Sequence, residues 1–124
     1  MNNVRIQLNK VRLSFPCFTP NDGEKYSTHV IYEKDGENHK KLVDIVGQIM
    51  TENGVNLPPE RLCISDGQYK SGYTGYEGNF YTSCSNHNKP SFFEANGTDV
   101  ENPQMRFYSG CYVDVIINVW FMDN

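Results

Sequence analysis

Apolar and polar residues alternate from the start of the chain. Val4, Ile6 and Leu8 share one parity, and the apolar positions then shift to Val11, Leu13 and Phe15. Side chains of a strand repeat every two residues, so a change of phase inside one run is the signature of a bulge. The run therefore predicts a curved first strand with Lys10, Arg12 and Ser14 facing outward. After Pro16 and a turn-rich stretch at 19–24, residues 25–33 (KYSTHVIYE) have the aromatic and β-branched content of a second strand. The period then changes: Leu42, Ile45, Val46 and Ile49 follow three- and four-residue spacing, and Asn53-Gly54 supplies a stop, which predicts a helix over 38–52.

Pro58-Pro59 separates that helix from a short apolar run at 62–64. Residues 66–78 (DGQYKSGYTGYEG) are rich in glycine and tyrosine and read as a loop rather than a packed element. Residues 79–86 alternate as a strand, with Phe80, Thr82 and Cys84 against Tyr81, Ser83 and Ser85, and 91–95 offer another strand. From 110 to 122, Val113, Val115, Ile117, Val119 and Phe121 form an apolar face that must be core. The opposite face, Tyr112, Asp114, Ile116, Asn118, Trp120 and Met122, mixes polar and large apolar groups and suits a partner. About five strands with one inserted helix describe a mainly β chain, a small Greek-key barrel of the OB type, and an α+β sandwich fits the pattern nearly as well. With 124 residues and no repeat or linker, one domain spanning 1–124 is expected.

Composition narrows the chemistry. Eight Tyr, seven Phe and one Trp give an aromatic content of 13%, high for a globular chain. No stretch has the roughly 20 apolar residues of a membrane span, and the N-terminus lacks the apolar core of a signal peptide, so a cytoplasmic location is expected. Cys17, Cys63, Cys84 and Cys111 contain no CxxC pair and read as reduced thiols. The net charge of −4 opposes a purely electrostatic nucleic-acid binder. It is unevenly spread, however: residues 1–16 hold Arg5, Lys10 and Arg12 and no acid, so a local basic surface is compatible with the sum.

Tyr69, Lys70, Tyr73, Tyr76 and Tyr81, with Lys89 nearby, interleave rings and cations. Rings stack on bases of any sequence while cations follow phosphates, the mixture single-strand binders need. Two of the tyrosines fit the core equally well, since burial asks for the same residue type. Gly72, Gly75 and Gly78 match no phosphate-cradling signature. Cys84 and His87 have a metal-ligand spacing but need two more ligands from afar. His29, His39 and His87 have no orienting group beside them in sequence, so solvated or core roles are expected. The acids are scattered, without the carboxylate cluster of a metal-dependent nuclease, which leaves an enzyme as the weakest class.

Three stretches taken in order, Asn9-Lys10-Val11-Arg12-Leu13-Ser14-Phe15-Pro16, then Gly75-Tyr76-Glu77-Gly78 leading to Ser85-Asn86 and Lys89-Pro90, then Tyr108-Ser109-Gly110-Cys111-Tyr112-Val113, resemble a family of phage single-stranded DNA-binding proteins. The resemblance runs to Asp123-Asn124. It implies an OB-fold that coats single strands exposed during phage DNA replication, recombination or repair in the host cytoplasm, with neither cofactor nor catalysis. By position it implies a DNA groove made of Lys10, Arg12, Lys70, Tyr73, Tyr76, Tyr81, Asn86 and Lys89, cations meeting phosphates and tyrosines stacking. Similar proteins usually continue past this last strand and often end in an acidic tail that recruits replication partners, whereas this chain stops at Asn124. Where a closing strand is also missing, the exposed edge can pair between chains, so a homodimer is an expectation of the same resemblance. The competing reading from another class is an acidic phage module that binds a host or virion protein. Salt dependence separates the two, because phosphate contacts release counterions.

Overall fold

The computed structural model describes residues 3–20, 23–70 and 72–121. Strands β1 (Asn3–Ser14), β2 (Tyr26–Glu33), β3 (Ser65–Asp66), β4 (Asn79–Asn86) and β5 (Tyr112–Trp120) form one antiparallel sheet in the order β3-β4-β2-β1-β5. Helix α1 (Glu37–Asn53) lies between β2 and β3, and a single-turn helix α2 (Pro103–Arg106) precedes β5. The chain is mainly β with one substantial helix, an OB-like arrangement. Among the described residues the sheet remains open, with β3 and β5 as its edges. The expected outward position of Met122 and the turn at Asn21-Asp22 lie outside the described residues.

The phase change in β1 is a bulge. Leu8 pairs with Val115 and Val11 with Val113, so Asn9 and Lys10 together stand opposite one residue, Asp114. Lys10 takes a left-handed backbone, with φ of 52°. The ladder bonds lost at the bulge are replaced by side chains. The Lys10 amide donates to Asp114 Oδ1 at 2.9 Å. The Asn9 amide donates to Asn38 Oδ1 at 3.0 Å, and Asn38 Nδ2 donates back to the Asn9 carbonyl at 2.7 Å. The first turn of α1 is thus pinned to the bend of β1, since backbone groups freed from a ladder need partners.

Helix α1 begins and ends within one residue of the sequence expectation. At its C-terminus the Gly54 amide bonds the Thr51 carbonyl and the Val55 amide bonds the Met50 carbonyl, with Gly54 at φ of 64°. This is the glycine-dependent stop that a left-handed residue allows. Leu42, Val46 and Ile49 are buried on one stripe. Leu42 joins Leu8, Val11, Leu13, Val30 and Tyr32 in the core, and Val113, Val115, Ile117 and Val119 pack against that cluster. Tyr32 and Thr82 bury their hydroxyls together at 2.7 Å, so neither loses a partner on leaving water.

Two expectations fail locally. The strand at 91–95 shrinks to one bridge between Phe93 and Asp99, because Glu94 bonds Thr98 and Gly97 in a tight turn that ends the ladder. That segment is held instead by ring contacts of Phe92 with Phe18 and Phe107, and by the Arg106–Glu94 ion pair. The stretch at 66–78 is not a free loop. It opens with a 3-10 turn at Gly67–Lys70 and folds back over the sheet, burying Tyr76.

Candidate nucleic-acid interface

Paired residues in neighbouring strands share a face, so the register defines rows across the sheet. One row on the face opposite the helix reads Ser65, Tyr81, Ile31, Arg12, Tyr112 through β3, β4, β2, β1 and β5. The adjacent row brings Ser83, His29 and Ser14 together. The chain at 67–78 closes over the middle of these rows. The Tyr76 ring lies 5.2 Å from Tyr81 and 5.9 Å from His29, centroid to centroid, and its hydroxyl is 2.7 Å from His29 Nδ1.

Around this buried post stands a rim of accessible rings. Tyr73 is 53% exposed and Phe15 50%, and the two meet edge to face at 5.3 Å. Tyr81 and His29 are half-buried, with centroids 5.0 Å apart. Lys70 Nζ lies 5.8 Å from the centroids of both Tyr73 and Tyr81. Arg12 is half-buried on the same face, its guanidinium running between the backbones of Gly75 and Gly110. A Cβ on Gly75 would stand 3.0 Å from Arg12 Nη1, so a side chain there would press on the cation.

The cations divide into two groups. Lys34 is paired with Asp66 at 2.9 Å, and Arg106 with Glu94. Lys10, Arg12 and Lys70 have no carboxylate partner among the described residues, which leaves their charge available to an anion. A cavity of about 300 Å³ is lined by Lys10, Arg12, Ile31 and Tyr112 together with Glu33 and Glu37. Those two acids bias anions toward the Arg12 and Lys70 side.

Of the eight residues expected in the groove, Arg12, Lys70, Tyr73 and Tyr81 converge. Lys10 is exposed at the bulge, on the cavity side. Asn86 ends β4 opposite Tyr26 and Lys89 lies beyond it; both are exposed, but they are at the far end of the strand from the ring cluster. Tyr76 requires a correction: with no exposed surface it has no face free to stack, and it supports the platform from beneath. Sequence reasoning does not single out Phe15 or His29 for the site. Parity assigns Phe15 inward, but its φ of 52° turns it outward, a strained state for a bulky side chain. The following Pro16, which ends the strand, is the available signal. His29 has the parity of Ile31, opposite that of the core residue Val30, which puts it on the outward face of β2.

Burial, and then the nearby Lys70 charge, hold the His29 imidazole below its usual value. Burial likewise raises the Tyr76 phenol. His29 is therefore neutral near pH 7, where its Nδ1 pairs with the Tyr76 hydroxyl. Between the lowered folded value and the ordinary 6.5, the unfolded chain binds more protons than the folded one, so stability falls as pH drops through that window. The melting temperature should drop more between about pH 7.5 and about pH 5.5 for the native chain than for His29→Gln, which keeps a polar partner for Tyr76 without titrating. Parallel melting curves across that range check this.

Cys84 faces the core from β4, and burial pushes its thiol up to about 12. His87 lies beyond the strand, within 3.3 Å of the Glu24 carbonyl. The Cys84 and His87 side chains thus have separate surroundings, and no cluster of three metal-ligating groups occurs among the described residues.

Residues 4–124 match the model of the family described as the ssDNA-binding protein of Enterobacter phage Enc34. The chain belongs to this family. It is also 31% identical over 139 aligned residues to putative protein p50 of Acyrthosiphon pisum secondary endosymbiont phage 1, covering 98% of this chain and 75% of the relative. Among solved structures, a C-terminal truncation of the bacteriophage Enc34 single-stranded DNA-binding protein superposes with a TM-score of 0.75 at 26% identity, covering 97% of this chain and 76% of that one. The same Enc34 protein in complex with ssDNA gives a TM-score of 0.77 at 24% identity, over 97% and 76% of the two chains. The family's fold thus extends over nearly all of this chain. No helix among the described residues is long and apolar enough to cross a membrane.

Proposed function

We propose that this chain binds single-stranded DNA without sequence preference, as one domain spanning 1–124, and coats strands exposed during phage DNA replication, recombination or repair in the host cytoplasm. The observation that carries the reading is the joint placement of accessible rings and unpaired cations on one face of the sheet. Phe15, Tyr73 and Tyr81 offer surfaces to bases, and Lys70 and Arg12 stand beside them to meet phosphates. No base-specific donor set is required, because every base has a π-face. The role is binding rather than catalysis: the chain needs only to hold the strand. Membership of a family described by ssDNA binding supports the same reading.

Lys10 meets the phosphates at the bulge, and Asn86 and Lys89 serve only a strand that runs on past the end of β4. Partners other than DNA, phage replication proteins among them, and pairing into a homodimer belong to the same proposal.

The experiment is fluorescence anisotropy of a labelled oligothymidine titrated with the chain over a range of salt. Affinity should fall steeply with salt, and Lys70→Ala and Arg12→Ala should each reduce the slope of log affinity against log salt by about 0.7, the value expected per phosphate contact on a single strand. Oligomers of other base composition should bind comparably. Absence of binding at low salt would overturn the reading and favour a protein partner.

A further inference from the structure

The outward face of β5 carries three large exposed side chains at even spacing. Tyr112 is 68%, Ile116 54% and Trp120 56% exposed. They share one side of an edge strand whose other side, Val113 to Val119, packs against the core. On the neighbouring strand Arg5 pairs with Asn118, diagonally next to both Ile116 and Trp120, and Arg12 pairs with Tyr112. Asp114 is the sole acid on this face of β5, and its carboxylate is already engaged by the Lys10 amide. On this face of β1 and β5 a chain of net charge −4 thus presents Arg5, Lys10 and Arg12 against the committed Asp114, with Glu33 and Glu37 lining the same cavity as Lys10 and Tyr112.

Tyr112 also ends the cross-sheet row that begins beside the ring cluster at Tyr81. Three strand steps separate the two, about 14 Å, and β5 then carries the same face about 27 Å further, from Tyr112 to Trp120. We infer that the outward face of β1 and β5 is a second segment of the nucleic-acid track, on which a single strand leaving the Tyr73–Tyr81 cluster stacks on Tyr112 and Trp120 while Arg5 and Arg12 hold its phosphates. The inference rests on the single-strand reading of the central cluster. Charge favours this occupant over a second copy of the chain, which would bring three more cations against these three.

Trp120 is the single tryptophan of the chain, so its fluorescence reports this segment alone. Oligothymidines of increasing length are titrated while anisotropy of the labelled strand and tryptophan emission are followed together. Short oligomers should raise anisotropy and leave Trp120 emission unchanged; longer ones should quench it. Trp120→Ala and Arg5→Glu should each weaken binding of the longer oligomers by about fivefold or more and leave the short ones unaffected. Emission that stays constant at every length while anisotropy rises would overturn the inference and spare the central site. The inference also falls if Trp120→Ala instead abolishes a concentration-dependent self-association seen by sedimentation. If anisotropy never rises, both readings fall.

Discussion

Alanine at both Phe15 and Tyr73 is expected to weaken oligothymidine binding well over tenfold while leaving the folded chain intact. A ring that stacks on a base contributes about 1 to 3 kcal/mol, and each 1.4 kcal/mol is roughly tenfold in affinity. Either single substitution should therefore cost about five- to a hundredfold. Both rings are half exposed and sit at the rim, so little core packing is lost with them. They also touch each other at 5.3 Å, edge to face, and residues in contact do not act independently. Removing one ring loosens the other, so the double variant should lose less than the product of the two single losses. The salt slope should stay at its native value, because stacking releases no counterions, in contrast to Lys70→Ala. Anisotropy titrations of the singles and the double at two salt concentrations measure both quantities. A double variant that binds within about twofold of the native chain would remove the rings from the site.

How far the sequence can be read depends on which physical rule governs each residue. The bulge in β1 is legible because a period of two makes a slip of one residue visible, and α1 because Leu42, Val46 and Ile49 lie on one helical stripe above a glycine stop. Strand β4 matches its expected bounds, and the inward face of β5 its expected parity. The strand order is not legible, since pairing between β2 and β4 bridges a helix and a long connection that carry no mark of their partners. At the site, ring and cation interleaving finds Lys70, Tyr73 and Tyr81, and the outward parity of β1 finds Arg12. It misplaces Tyr76, because a buried ring and a stacking ring ask for the same residue. The seat of Tyr76 is created by a glycine-rich segment folding onto the sheet, and glycines advertise freedom more readily than close approach. Phe15 is misread when parity is extended one residue past the point where Pro16 ends the strand.

The net charge is a poor guide for a related reason. A sum over the chain does not say where its charges stand: Lys34 and Arg106 cancel against Asp66 and Glu94 within it, whereas Arg12 and Lys70 stand together on one face without a carboxylate partner among the described residues. The Asp66 carboxyl is held below its usual range, first by the Gln68 amide and then by the Lys34 side chain, so that pair persists as pH falls. What a phosphate meets is the unpaired remainder on one face, and that remainder is positive where the rings are.

Gly67→Ala is expected to abolish tight binding although residue 67 has no side chain with which to touch a ligand. A Cβ at this position would lie 1.9 Å from the Tyr76 carbonyl oxygen and 2.7 Å from that of Asn79. Both atoms belong to the backbone, which cannot swing aside as a flexible side chain can. The Tyr76 carbonyl accepts the Asn79 amide at 3.0 Å, and Asn79 opens β4 opposite Glu33, so relief at either contact disturbs the junction between platform and sheet. Overpacking that neighbouring side chains can absorb costs about 1 to 3 kcal/mol, but a carbon 1.9 Å from a backbone oxygen is beyond what such small shifts relieve. Relief has to come from lifting the segment, even though that forfeits the buried Tyr76 side chain, worth about 3 to 5 kcal/mol in comparable truncations. The segment should therefore detach from the sheet rather than accept the clash, carrying Tyr73 and Lys70 out of register with Tyr81 and Arg12. Gly72→Ala is the matched control: no atom lies within 4 Å of its added Cβ. It should leave melting temperature and affinity at native values, within about 0.5 kcal/mol. Thermal melts and oligothymidine titrations of the two variants side by side decide the matter. Native affinity in Gly67→Ala would mean that the rings act without the platform, and that the burial of Tyr76 is a matter of packing alone.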